Sequence, residues 1–306
     1  MNFENLPPDI NQLFDDILKY RVDPAAEHYK VTLDMIAKSF DMIKTDVIHA
    51  VDSDGKVDYN PILKSFVMGC GGQITYWDKT AENMTPVVVR GVTKRKVMEA
   101  CRARGRDFYY IDTGYFGNPT KGKLYHRITR NDVQYFGPII ARPQDRLAQT
   151  GIGFKKFRGG TNILLAPPSQ KLLMMYDIDL DTWLNNTIEE IKRHTDRPIV
   201  IRKKQSRAVR MTEDTMEMAL AQDVHCLITF SSIAAGEALL LGKPAITLGP
   251  NAAAPLCSQR LSEIECLKAP TVDEVRAWAA NLAYNQFTEA EMRNGTAWRI
   301  LQGNYD

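Results

Sequence analysis

The chain of 306 residues carries 39 Lys and Arg against 37 Asp and Glu, with 44 % hydrophobic and 25 % charged residues. That is the composition of a soluble globular protein with a large core, and the length suits two domains of roughly 150 residues. No apolar run approaches the ~20 residues that span a bilayer, and the acidic opening MNFENLPPDINQLFDD is unlike a secretory signal. The five cysteines (70, 101, 226, 257, 266) form no CxxC pair, so a cytoplasmic protein with free thiols and no membrane partner is expected.

The formal net charge of +2 conceals an asymmetry. Residues 1–60 hold 12 acidic and 6 basic side chains, whereas residues 90–130 hold 11 basic and 3 acidic, a local excess of +8. Such a block suits an anionic partner; a solvated face with one phosphate clamp would give the same count.

In chain order, apolar spacing predicts helices over 8–20 and 30–50, the second ended by DSDG at 52–55. Residues 61–84 read as a helix, a glycine loop and a weak strand at 73–77. PVVVR (86–90) is a short apolar run, hence a buried parallel strand. A helix over 94–104 stops at Gly105, and an aromatic strand over 108–111 leads into Asp112. Residues 115–160 read as functional loops and a linker. NILLA (162–166) and PIVIR (198–202) are strands, separated by a helix over 180–194 with Asp179 or Asp181 as its cap. Helices follow over 212–221 (capped by Thr212), 271–284 and 288–301 (capped by Thr288, with Glu291 three on).

The most informative stretch is 224–251, VHCLITFSSIAAGEALLLGKPAITLGPN. It reads as a strand over 227–230, a turn at Ser231-Ser232, a small-residue helix, a break at Gly242-Lys243-Pro244 and a strand over 245–248: a βαβ unit. A helix beginning there would offer N–H groups and a positive dipole end to a phosphate, although a plain N-cap has the same appearance. Ser169, the triplet Arg202-Lys203-Lys204, and Ser231-Ser232 each follow a strand, where open α/β sheets bind ligands. They are the expected phosphate contacts. Glu237, five residues beyond Ser232, could reach a ribose diol or could be an ordinary helical glutamate. There is no GxGxxG, no GxxxxGK[ST] and no zinc-type His/Cys spacing, which argues against dinucleotide, P-loop and zinc sites. Asp177-Ile-Asp179 reads better as a turn into a helix than as a metal site, and no metal is expected.

The alternation of strands and helices gives the fold class: α/β, two Rossmann-like domains facing across a cleft. The expected domains are 1–158 (acceptor-binding), 159–275 (nucleotide-binding) and terminal helices 276–306 packing back towards the first. The segment ITFSSIAAGEALLLGKPAITLG resembles the donor site of GT-B glycosyltransferases, nearest to capsule-polysaccharide sugar transferases of the Kdo type. Ser231, Ser232, Gly236, Glu237, Gly242, Lys243 and Pro244 match that pattern. Where the capsule family often has R-P-H-P, this chain has Arg202-Lys203-Lys204-Gln205. VVVRGVTKRKVMEACRARGRDFYYIDTGYFGN, continued by LYHRITRN, resembles proteins of tailed phages, some of them sugar transferases acting on hypermodified DNA bases.

These resemblances imply a nucleotide-sugar co-substrate, expected to be a UDP-sugar, with no permanently bound cofactor. They imply transfer to a hydroxyl, most directly that of a 5-hydroxymethyl pyrimidine in double-stranded phage DNA within the host cytoplasm. A saccharide acceptor, a nucleotide-sugar epimerase and a non-catalytic DNA-binding protein are the alternatives. Asp112, at a strand end, is the candidate base, unless it merely caps its turn; His126 is the second. Arg90, Lys94, Arg95, Tyr115, Lys121, Lys123, Arg127 and Arg130 are the candidate acceptor or DNA contacts. Arg/Lys groups and a helix start would neutralise the leaving phosphate in place of a metal ion.

Overall fold

A computed structural model of the chain describes residues 48–51, 61–76, 84–118, 122, 124–135, 137–204 and 215–304. All belong to one compact unit, Val47–Asp306. Lys121, Lys123, Thr212, the helix expected over 8–20 and most of the one over 30–50 lie outside the described residues.

The elements in order are β1 (Ile48–Val51), α1 (Pro61–Cys70), β2 (Gln73–Tyr76), β3 (Val87–Arg90), α2 (Arg95–Arg104), β4 (Phe108–Thr113), β5 (Tyr125–Arg130) and α3 (Asp145–Gln149). Then come β6 (Asn162–Ala166), α4 (Gln170–Leu173), α5 (Leu180–His194), β7 (Ile199–Ile201), α6 (Met216–Leu220), β8 (Val224–Thr229), α7 (Ala234–Leu240) and β9 (Ala245–Thr247). The chain closes with α8 (Val272–Ala283), β10 (Gln286–Thr288), α9 (Glu289–Arg293) and α10 (Thr296–Leu301).

The first sheet has six strands in the order β10-β5-β4-β3-β1-β2. Its β2-β1-β3-β4 portion is parallel, β5 is antiparallel to β4, and β10 is antiparallel to β5. Val87, Val88 and Val89 are wholly buried, as a strand covered on both faces requires. One face carries Val88, Tyr109, Ile111, Ile128 and Phe287 against α1, α9 and α10. The other carries Val87, Val89, Phe108 and Tyr110 against Val97, Met98 and Cys101 of α2.

Three expectations are corrected here. Residues 48–50 belong to strand β1, not to a helix, because their backbone pairs with β2 on one side and β3 on the other. The loop region 115–160 contains β5, whose alternation was hidden by the charged residues Arg127 and Arg130. The single last helix is instead β10, α9 and α10, with Thr288 ending the strand and Gly295 at φ 83 breaking the helix.

The second sheet, β7-β6-β8-β9, is parallel throughout. Ile163, Leu165, Cys226, Ile228 and Ile246 face α5 through Trp183 and Ile191. Leu164, Leu227 and Ala245 face α7 and α8 in a cluster that also takes in Tyr115, Phe116 and Leu147. The segment after β4 and helix α3 therefore pack into the core of the second sheet. Asp179 caps α5 by accepting from Thr182 N–H at 2.9 Å, and Thr271 and Thr288 form capping boxes with Glu274 and Glu291.

Candidate functional site

Because the second sheet is parallel, its strands end on one rim, spaced by about 4.8 Å. Along that rim Arg202 follows β7, Ser169 follows β6 and Ser231 follows β8. Arg202 is half-buried and its N–H donates to Leu165 O at 2.8 Å; Lys203 and Lys204 are exposed. Ser169 occupies the N-cap position of α4 without a side-chain cap bond. A groove of ≈ 410 Å³ is lined by Arg202 and Lys203 together with Leu164, Val200, Ala219 and Gln222.

The serine pair divides its work. Buried Ser231 donates its hydroxyl to Pro250 O. Ser232 holds the start of α7: its Oγ accepts from Ala234 N–H at 3.2 Å and its carbonyl from Ala235 N–H at 3.3 Å. Asn251 Nδ2 donates to that same carbonyl at 2.9 Å. The first amides of α7 are thus occupied, and Ser232 keeps its own O–H to donate. Half-buried Glu237 lies in the first turn of the same helix.

The GKP break ties the end of α7 to the connector before β6. Lys243 is buried, with Nζ donating to Val224 O at 2.9 Å and Arg158 O at 3.4 Å, and burial pushes its pKa down. Gly242 has φ +70, and Lys155 N–H and Leu240 O, Arg158 N–H and Gly242 O bond the connector 155–158 to the end of α7.

In the first sheet Asp112 and Arg127 are directly opposed across the antiparallel pair β4/β5. Asp112 Oδ2 accepts from Tyr110 Oη at 2.8 Å and from Arg127 Nη2 at 3.2 Å, and Oδ1 from Thr113 N–H at 2.7 Å. Buried Arg127 also donates to Thr113 O at 2.7 Å and lies 5.7 Å from the ring centres of Tyr110 and Tyr115. Burial, with the Asp112 charge beside it, pushes the Tyr110 hydroxyl far above its usual range. The Asp112 side chain retains 35 % exposure, so the carboxylate is oriented yet reachable. His126 is opposed to Thr113, one residue along each strand, and so lies on the other face of the sheet, buried. The two candidate bases do not meet.

The segment Val133-Gln134-Tyr135 links the two rims. Val133 O accepts from Arg127 Nε at 3.4 Å, and Tyr135 N–H donates to Tyr115 Oη at 3.3 Å. Between them Gln134 Nε2 donates to Ser231 O at 3.1 Å. Gln134 is 4 % exposed, and its Oε1 has no hydrogen-bond partner among the described residues. It borders a cavity of ≈ 10 Å³ with Tyr115, Ile233, Gly236, Asn251 and Trp278, room for about one water.

Much of the basic block is consumed internally. Arg95 pairs with Glu99 and with Asp177 Oδ1 at 2.8 Å, Arg130 pairs with Asp107, and buried Arg106 donates to Thr85 O at 2.7 Å. Arg127 serves Asp112, and Tyr115 is buried. Arg90 and Lys94 are half-buried at β3 and the turn after it. Gln134 had no distinguishing signal in the sequence, being a lone polar residue in a loop, and Lys243 was marked only by its match to the donor-site pattern.

No protein family and no curated protein matches the sequence. Several solved structures are similar at low level, and two are described. One is Thermosulfurimonas dismutans KpsC, beta Kdo 2,4 transferase (15 % identity, 77 % of this chain and 90 % of that one, TM-score 0.47). The other is Thermosulfurimonas dismutans KpsC, beta Kdo 2,7 transferase (10 % identity, 82 % and 98 %, TM-score 0.45).

Proposed function

We propose that the chain is a glycosyltransferase that moves a sugar from a nucleotide-sugar, with a UDP-sugar as first candidate, to an acceptor hydroxyl. The observation that supports this reading is the linkage of a parallel-sheet rim bearing Ser169, Arg202, Lys203 and Ser232 to the oriented Asp112–Arg127 pair through Val133-Gln134-Tyr135. In this reading the two sheets are the cores of Rossmann-like halves of a GT-B enzyme. Ser169, Arg202, Lys203, Lys204 and Ser232 hold the donor phosphates and Glu237 the ribose. Ser231, whose hydroxyl is engaged by Pro250, shapes the turn.

The reaction breaks the bond between sugar C1 and the donor phosphate oxygen, and the electron pair leaves with the nucleotide. The acceptor oxygen bonds to C1 and gives its proton to Asp112, while the cations neutralise the leaving phosphate without a required metal. Arg127 and Tyr110 orient the carboxylate. A saccharide acceptor is favoured over duplex DNA, because Arg95, Arg106, Arg127 and Arg130 already serve intramolecular partners.

The test is a panel of nucleotide sugars incubated with oligosaccharides, with hydroxymethylated duplex DNA, and with no acceptor, followed by product mass, with and without a chelator. Mass gain on an oligosaccharide is expected. Gain on DNA alone would restore the nucleic-acid acceptor, altered sugar without acceptor would mean an epimerase, and no change with any donor would overturn the reading.

A further inference from the structure

We infer that Gln134 is a positioning residue, a latch that fixes the Ser231-Ser232 turn relative to the Asp112–Arg127 pair; the inference rests on the glycosyl-transfer reading above. Three consecutive residues each make one tie: Val133 O to Arg127 Nε (3.4 Å), Gln134 Nε2 to Ser231 O (3.1 Å) and Tyr135 N–H to Tyr115 Oη (3.3 Å). The first and last belong to the Asp112 side, through Arg127 and through the Tyr115 ring that covers its guanidinium. Only the middle one reaches the β8–α7 turn.

The chemistry of that tie is specific. Ser231 O is a carbonyl and can only accept, so the amide must present its nitrogen there. Gln134 also lines the ≈ 10 Å³ cavity with Ile233 and Gly236, and its Oε1 has no partner among the described residues. A buried oxygen in that position calls for a donor, which one water supplies. The latch is therefore the glutamine with one water beneath the first turn of α7. Ser232, one residue beyond Ser231, keeps the O–H assigned to the donor.

A shift of about 1 Å between acceptor base and donor costs on the order of a hundredfold in rate. Gln134→Met, similar in volume, should slow kcat by about that factor while donor affinity, measured by calorimetry with the nucleotide alone, changes by less than about threefold. Rates are taken per donor-binding site, so a loss of folded protein does not register. Gln134→Glu supplies the second reading: its carboxylate opposes Ser231 O, but its protonated form can donate. Its rate relative to the native protein should rise as pH falls towards the glutamate pKa, about 4.3 before the effect of burial.

Amide exchange at Ala234 and Ala235 should quicken in Gln134→Met, and this readout does not depend on turnover. Native-like kcat per site in Gln134→Met, or no acid rescue in Gln134→Glu, would overturn the positioning role while leaving glycosyl transfer intact. A native protein that turns over no nucleotide sugar would overturn the reaction, and unchanged exchange would overturn the latch itself.

Discussion

Arg127 Nη2 stands 3.2 Å from Asp112 Oδ2, the two residues directly opposed on neighbouring antiparallel strands, with the guanidinium buried and the carboxylate partly open. A buried cation so placed needs its carboxylate, and the carboxylate takes its orientation from the cation. Asp112→Asn should therefore abolish transfer with donor affinity retained. It should also destabilise the fold by about 2–3 kcal/mol, below the 3–5 of a fully buried pair because Asp112 is partly exposed. Urea unfolding and donor calorimetry check the two halves; a variant with full turnover would remove Asp112 as the base.

Lys243 separates a structural from a ligand-binding reading of the GKP segment. Its Nζ has two backbone carbonyls, Val224 O and Arg158 O. Lys243→Met should lower stability by about 1.5–3 kcal/mol, the range of hydrogen bonds to a charged group, and leave donor affinity of the folded protein unchanged. A large loss of donor affinity at unchanged melting temperature would instead make Lys243 a donor contact.

Two glycines test how tightly the connector docks. Gly242 and Gly105 have similar φ, +70 and +66, but a Cβ on Gly242 would lie 2.3 Å from Lys156 O, while one on Gly105 meets nothing within 4 Å. Gly105→Ala should cost about 1–2 kcal/mol, the left-handed penalty alone. Gly242→Ala adds a clash with a fixed carbonyl, so its loss in chemical denaturation should exceed that by about 1 kcal/mol or more. Equal losses would mean that the connector yields freely.

Glu265 gives a pH signature. Hydrogen bonds from Arg197 and Thr195 hold its pKa at about 2, below the usual 4.5. A depressed folded-state pKa means stability that is present above about 4.5 and lost as pH falls through about 2. Glu265→Gln should flatten the acid limb of the melting temperature between those values and leave the curve above pH 6 parallel to the native one. The effect is modest, because the pair is solvent-exposed.

Most of the second sheet was readable from the sequence. NILLA, PIVIR and LITF are short apolar runs, and capping residues marked helices such as α5, where Asp179 accepts from Thr182 N–H. The first sheet was harder. In β5 the buried faces include His126 and Arg127, so polarity concealed a strand that only its neighbours β4 and β10 stabilise. β1 carries helix-like apolar spacing and is a strand because β2 and β3 lie to either side.

The sequence by itself determined which residues end the strands of the second sheet: Ser169, Arg202 and Ser231 follow local apolar runs, and local pattern is enough to say so. Tertiary structure alone decided how those residues are used. Strand register opposed Asp112 to Arg127 and turned His126 to the other face, since a one-residue step reverses a side chain. Packing between the two halves buried Gln134 against Ser231 and paired Arg95 with Asp177, while contacts within the first half spent Arg106, Arg127 and Arg130 on internal partners. Charge and motif are properties of the chain, whereas the partner that satisfies each buried donor or acceptor is fixed only when distant segments meet.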